Sequence, residues 1–258
     1  MTSATATAPA TAYQLVDDQV ARYRADGFLH TPGVLTTAEA ESLRERFLAT
    51  SERGANLKDG YGSNVFDQYV NLWQQDRGLL DLALHPNMRA IATRLAGVPL
   101  RLWHDHLLVK RAKNGVPTEW HQDQPYWPHS DSAASLSAWV ALVDAPQVRG
   151  CMSYIPGSHR RTELEAQNLQ DATDLFRRCP ELQWVPAVTV PVKAGDVVWH
   201  HARTAHRAES NRTDQDRVVV SVIYMPRSTR FTGGRHICTD GRGINAGDLL
   251  TGDEFPEV

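Results

Sequence analysis

The sequence predicts an antiparallel β-sandwich or barrel buttressed by an N-terminal layer of helices. Two observations carry that expectation. Apolar residues recur at helical spacing in the first hundred residues, whereas after residue 100 short β-rich runs follow one another between clusters of Gly, Pro, Asn and Asp. Helical patterns do not alternate with those runs, apart from one helix expected around 162–178, which argues against a parallel βαβ sheet. Size agrees: 258 residues with 41% hydrophobic and 22% charged residues bury a real core and exclude general disorder.

The elements follow in order. Residues 1–12, MTSATATAPATA, lack Lys, Arg and an apolar stretch, so they read as a disordered tail rather than a secretory signal; residues 13–258 are expected to form a single domain. Val16, Val20 and Tyr23 set a helix over 15–26 that Gly27 stops, and Phe28-Leu29 lead into a Pro32-Gly33 turn. Thr36 and Glu39 make a capping box for the helix striped by Ala40, Leu43 and Phe47. The polar stretch 52–64 reads as a loop. Leu79 to Leu84, then Met88, Ile91 and Leu95, predict two short helices broken at His85-Pro86 and ended by Gly97. Strands are expected at 100–110, 135–143, 188–192, 197–201 and 217–225.

Several partners are excluded. A formal net charge of −3 argues against a nucleic-acid binder, and no run of eighteen apolar residues spans a membrane. Cys151, Cys179 and Cys238 are odd in number and widely spaced, which suits a reducing cytoplasm rather than a disulfide framework. A small-molecule substrate and a monomer or homodimer are the expectation.

Histidine is the unusual component. Of eleven, eight lie between residues 104 and 206. In Trp120-His121-Gln122-Asp123 an imidazole and a carboxylate stand two residues apart, which in extended chain aims both to one face. A third ligand from a later strand would complete a two-histidine, one-carboxylate face with open positions, the arrangement of non-haem Fe(II) oxygenases. His200, His201 and His206 are the candidates. Arg217 opens a strongly apolar strand, where a guanidinium needs an anionic partner.

These segments, with Ser137-Ala138-Trp139-Val140-Ala141-Leu142, Gly150-Cys151-Met152-Ser153-Tyr154-Ile155-Pro156-Gly157-Ser158-His159-Arg160 and Gly195-Asp196, resemble the successive signatures of the phytanoyl-CoA dioxygenase family. The resemblance runs from about residue 16 to the C-terminus. It implies a double-stranded β-helix, the jelly-roll or cupin-like barrel, and an enzyme using Fe(II), 2-oxoglutarate and O2. It implies His121, Asp123 and His206 as metal ligands and Arg217 as the clamp on the far carboxylate of 2-oxoglutarate. Lys110 resembles a family lysine that approaches the cosubstrate, and its parity along 100–110 with Leu102, His104, His106 and Leu108 predicts that it points inward. Trp139 resembles a tryptophan of the cosubstrate pocket, with packing in the core as the other reading. Where the family commonly has His-Gly-Ser, this chain has His206-Arg207-Ala208 and lacks the serine hydroxyl. Related halogenases carry Gly or Ala in place of the carboxylate, so Asp123 implies hydroxylation, with desaturation or ring formation as other outcomes.

Substrate residues are expected near the HxD segment: Gln124, Tyr126 and Trp127, then Asn64, Gln68, His104, Met152 and Arg203. His104 and His106 are expected to line the pocket or to be satisfied in the core, and His159 to serve as scaffold. Of His200 and His201, one is expected near the pocket and one outside. Two rival readings are a zinc hydrolase using the same three ligands and a non-catalytic ligand-binding barrel. The first has no use for Arg217, and the second predicts a broken triad.

Overall fold

The computed structural model describes residues 13–53, 65–130, 132–162 and 164–258. The expected tail over 1–12, and residues 54–64 of the expected loop with Asn64 among them, lie outside the described residues.

Helices α1 (Asp17–Asp26), α2 (Thr37–Ser51), α3 (Leu72–Gln75), α4 (Leu80–Ala83) and α5 (Pro86–Ala96) precede the main strands, with β1 (Phe28–Thr31) and β2 (Asp67–Val70) between them. The capping box is formed: Glu39 N–H donates to Thr36 Oγ1 at 3.2 Å, and Thr36 N–H to Glu39 Oε2 at 2.7 Å. Gly27 ends α1 with φ 84°, and a Cβ there would stand 2.4 Å from His159 Nδ1 and 2.6 Å from Thr204 Oγ1. Only glycine suits that backbone and that space.

The later strands are β3 (Leu100–Lys110), β4 (Thr118–His121), β5 (Leu136–Ala141), β6 (Met152–Tyr154), β7 (Val188–Val190), β8 (Val197–His201), β9 (His206–Ala208) and β10 (Arg217–Pro226). They build a six-stranded sheet, β1-β8-β5-β10-β3-β2, facing a four-stranded one, β4-β9-β6-β7, with antiparallel pairing throughout. This is the expected jelly roll.

Strand periodicity sorts the larger sheet into two faces. Leu136, Ala138 and Val140 of β5, Val197 and Trp199 of β8, and Val218, Val220, Val222 and Tyr224 of β10 pack with the helices in one core. Their alternates Trp139, Ala141, Val198 and Val219 pack inward with Met152, Tyr154 and Ala208 of the smaller sheet. Burial on both faces is why β10 reads as a nearly unbroken apolar run.

Three sequence expectations are corrected. The helix expected over 162–178 is only α6 (Asp174–Arg178). Before it, Asn168, Asp171 and Asp174 side chains accept from the backbone amides of Gln170, Thr173 and Asn168, which competes with helical bonding. Phe28–Thr31 is not merely the approach to a turn but an edge strand on β8. The third concerns face: along β3, Leu102 does not share a side with His104, His106 and Leu108. Ile223 pairs with His104 but Tyr224 with Leu102, so Trp103 is an extra residue and the strand changes face there.

Cys151, Cys179 and Cys238 are free and buried. Among the described residues, no helix is long and apolar enough to cross a membrane.

Candidate metal centre

The smaller sheet places two imidazoles side by side. His121 ends β4, His206 begins β9, and the two are direct ladder partners with ring centroids 4.2 Å apart. Each ring contacts the carbonyl two residues before it through Nδ1, His121 with Glu119 O at 2.7 Å and His206 with Thr204 O at 2.8 Å. A carbonyl only accepts, so Nδ1 carries the proton and Nε2 presents a lone pair.

Asp123 joins them by a route the sequence argument did not foresee. The chain is not extended there; Asp123 has φ −73° and ψ −41° and caps a 3-10 turn over Gln124–Tyr126. The bend brings Asp123 Oδ1 to 3.7 Å from His121 Nε2 and 3.5 Å from His206 Nε2. The intervening Gln122, buried, donates from Nε2 to Arg203 O at 2.6 Å, and its backbone N–H donates to Gln167 Oε1 at 2.8 Å. Ligand atoms of all three residues lie within 4.8 Å of one another, the one such group among the described residues. Two nitrogens and a carboxylate oxygen on one side of an open space suit a divalent iron.

Two further groups complete this corner: His200, a ligand candidate in the sequence, and Ser137, to which the sequence assigns no role at the site. Ser137 Oγ donates to Asp123 Oδ2 at 3.0 Å, and His200 Nε2 lies 3.1 Å from the same oxygen. Oδ2 is thus engaged and Oδ1 is left toward the imidazoles. Outer hydrogen bonds of this kind orient metal ligands. The double variant Ser137→Ala/His200→Phe should therefore bind Fe(II) about tenfold more weakly with little change in metal-free melting temperature. Equal iron affinity in a Fe(II) titration would show that Asp123 needs no orienting partners.

Electrostatics favours the metal-binding protonation state. Burial pushes the Asp123 carboxyl up, but a proton on His206, His200 or His121, and the His200 hydrogen bond, pull it well below the usual carboxylate range, so the carboxyl gives up its proton before these imidazoles do. Burial also pushes His121 and His206 toward the uncharged form. One carboxylate and two neutral imidazoles require no further proton loss to take a cation.

The triad faces a cavity of about 360 Å³. Of the sequence-predicted residues, Arg217, Trp139, Tyr126, Trp127, His104, Met152, Gln68 and His106 line it, as does Ala208. Lys110, Gln124 and Arg203 do not. Lys110 is directly opposite Arg217 across β3 and β10, but its Nζ donates to Val116 O and Glu209 O, both at 3.0 Å. Burial first, then the Arg217 charge, lowers that amine to about 6. His200 is on the cavity; His201 points away, buried, with Nε2 on Ala133 O. His159 Nε2 meets Arg24 O and ties its turn to α1. His236 and Ile237, which no motif in the sequence marks, reach the cavity from the segment after the barrel.

Arg217 is the notable cation. It is 1% exposed, its guanidinium carbon lies 5.5 Å from the Trp139 ring centre, and its Nε has no hydrogen-bond partner. Among the described residues no acidic side chain pairs with it. Burial lowers it to about 9, so it remains charged at neutral pH.

Imidazoles that the fold wholly or partly buries also set acid stability. Burial pushes His106, His201 and His236 each down to about 4. An unfolded histidine protonates near pH 6.5, so between those values the unfolded chain holds more protons. The contribution is full above pH 6.5 and is lost as pH falls toward 4. Melts of metal-free protein should show a falling melting temperature from pH 7 to pH 5, with ~1–2 kcal/mol lost per imidazole at pH 5. A flat profile would contradict neutral burial.

A jelly roll with two histidines and a carboxylate on one cavity, and a buried lone arginine on the same cavity, has the layout of a mononuclear iron oxygenase that takes a 2-oxo acid. The chain belongs to the phytanoyl-CoA dioxygenase family, whose family model matches residues 23–219. It is 26% identical over 231 residues to L-proline trans-4-hydroxylase of Streptomyces griseoviridis, covering 81% of this chain and 86% of that one. It is similar to the solved structure of the alpha ketoglutarate dependent carbocyclase SnoK from nogalamycin biosynthesis, with 38% identity, TM-score 0.86, and 98% of this chain and 100% of that chain covered. The epimerase SnoN, in complex with Fe3+, alpha ketoglutarate and nogalamycin RO, is 39% identical with TM-score 0.81, covering 93% and 97%. The chain is a non-haem iron oxygenase that depends on 2-oxoglutarate and O2.

Proposed function

We propose that His121, Asp123 and His206 hold the ferrous ion, that Arg217 binds the remote carboxylate of 2-oxoglutarate beside Trp139, and that the enzyme hydroxylates an unactivated C–H of a small metabolite of secondary metabolism, releasing succinate and CO2. Residues 13–258 act as one domain in this reading. The observation that carries it is the charged, buried, unpartnered Arg217 on the same cavity as the triad. A desolvated guanidinium is unfavourable until a carboxylate meets it, and its fork fixes that carboxylate in orientation as well as affinity. A zinc hydrolase leaves this arginine without a task, and the intact triad argues against a vestigial barrel.

When bound, the ferrous ion supplies the redox chemistry that couples O2 to oxidation of cosubstrate and substrate. The residues of the chain position the participants. His121 and His206 present neutral Nε2 atoms, Asp123 presents one oxygen because Ser137 and His200 occupy the other, and Trp139 backs the clamp. Tyr126, Trp127, His104 and Met152 border the space left for substrate.

The likeness to a carbocyclase and an epimerase at 38–39% identity supports, beside hydroxylation, a second reading in which the same hydrogen removal leads to ring closure or inversion. The test incubates anaerobically iron-loaded protein with 2-oxoglutarate and a metabolite library, admits O2 and follows succinate by mass spectrometry. Succinate formation that depends on iron is expected; its absence removes the oxygenase assignment. Product mass separates the outcomes: oxygen gained, two hydrogens lost, or no change.

A further inference from the structure

The cavity has two chemically different ends. Along β10 the inward residues run Arg217, Val219, Ser221, Ile223, opposite Lys110, Leu108, His106 and His104 on β3. At ~3.4 Å per residue, Ile223 stands ~20 Å along the strand from Arg217. Ser137, which holds Asp123, pairs with Ile223, so the ligand corner lies toward the Ile223 end.

That far end is walled by His104, Trp127, Ile223 and His236, with His106 and Gln68 on the wall that leads to it. None of these carries a formal charge as a neutral side chain. Among the described lining residues, the only Asp, Glu, Lys or Arg are Asp123 and Arg217, and both already have roles. His106 Nε2 meets Gln68 Oε1 at 2.9 Å, making one hydrogen-bonding edge. His236 stacks on Trp103 at 5.0 Å and stands 5.7 Å from His104, while Trp127 meets His104 edge-on at 6.4 Å. Burial pushes His104 well down and holds His106 and His236 at about 4, so the three imidazoles add no positive charge at neutral pH.

An ionised acid placed here would lose its hydration and, among the described residues, find no cationic side chain to replace it. Hydroxyls and carbonyls, by contrast, find imidazole and carboxamide partners, and flat rings find Trp127 and the imidazole faces. We infer that the part of the substrate entering this end is a ring-bearing group decorated with hydroxyl or carbonyl oxygens and free of carboxylate, phosphate or phosphonate. This rests on the oxygenase reading above and narrows it: free amino acids, phosphonates and coenzyme A phosphates are excluded from the inner site.

The test uses a matched pair, phenyl β-D-glucoside and phenyl β-D-glucuronide, which share ring and sugar and differ in one carboxylate. Protein loaded with Fe(II) and 2-oxoglutarate under argon is first checked for the chelate absorption band. Absence of that band is a failure of the oxygenase reading, not of the substrate class. With the band present, each probe is titrated against it, and L-proline and methylphosphonate are run alongside. The glucoside should perturb the band with at least about tenfold tighter binding than the glucuronide, and the two small acids should not perturb it. Ile237→Arg, at a cavity residue 47% exposed and therefore tolerant of substitution, brings a cation to the mouth and should improve glucuronide binding about tenfold. Equal or tighter binding of an acid by the wild-type protein overturns the inference. So does no response to the glucoside in protein whose chelate band is intact.

Discussion

Asp123→Ala is expected to abolish substrate-coupled turnover while the barrel stays folded. In the proposed centre the side chain supplies one of three ligand atoms, and its Oδ1 stands 3.5 Å and 3.7 Å from the two imidazole nitrogens. With it gone, two neighbouring histidines remain, which hold a divalent ion far less firmly. The structural loss is small by comparison. Ser137 Oγ and His200 Nε2 lose an acceptor at a cavity that water enters, a cost of about 1–3 kcal/mol at most. Activity should fall by at least about a thousandfold, or about 4 kcal/mol, with a circular-dichroism melt within a few degrees of wild type. Tight Fe(II) binding together with full turnover in Asp123→Ala would remove the metal assignment.

Arg217→Ala should weaken 2-oxoglutarate by about 2–5 kcal/mol, the range for truncating one member of a buried charge pair. The contact lies away from the reacting carbon and is made in ground and transition states alike, so the loss appears chiefly in KM. Arg217→Lys keeps charge without the planar fork and should lose less. Iron affinity without cosubstrate should be unchanged. Metal-free protein should respond in the opposite sense: Arg217→Met removes a buried cation with no partner and should not lower the melting temperature. A 2-oxoglutarate titration of the Fe(II) chelate band under argon reads the first effect. Unchanged cosubstrate affinity in Arg217→Ala would remove the main argument for this clamp.

The parts of this molecule that the sequence discloses are those long enough to show a period. β3, β8 and β10 declare themselves through runs such as Val218 to Tyr224, and α2 through a cap and a stripe. Strands of three or four residues, such as β6 and β9, cannot show alternation, and they belong to the smaller sheet that carries His206. One inserted residue, Trp103, defeats parity reasoning along β3, since a bulge leaves no mark in apolar spacing. In the site, His121, Asp123, His206 and Arg217 were legible from the order of their motifs. His200 and Ser137 were not assigned to Asp123, because neighbours across a sheet are set by register rather than by sequence distance. His236 follows Gly233-Gly234 in a segment with no period, and its approach to the cavity depends on stacking against Trp103.

The two oxygens of Asp123 answer to different halves of the molecule. Oδ1 faces imidazoles carried by the four-stranded sheet, while Oδ2 is held by Ser137 on β5 and His200 on β8, both in the six-stranded sheet that also carries Arg217. A single carboxylate is therefore a link between the layer that carries His121 and His206 and the layer that carries Arg217. If the three residues hold the ion as proposed, a slide of one sheet over the other by a fraction of an ångström would shift Asp123 Oδ1 against the two imidazoles, so the alignment of the layers would set the geometry of the site.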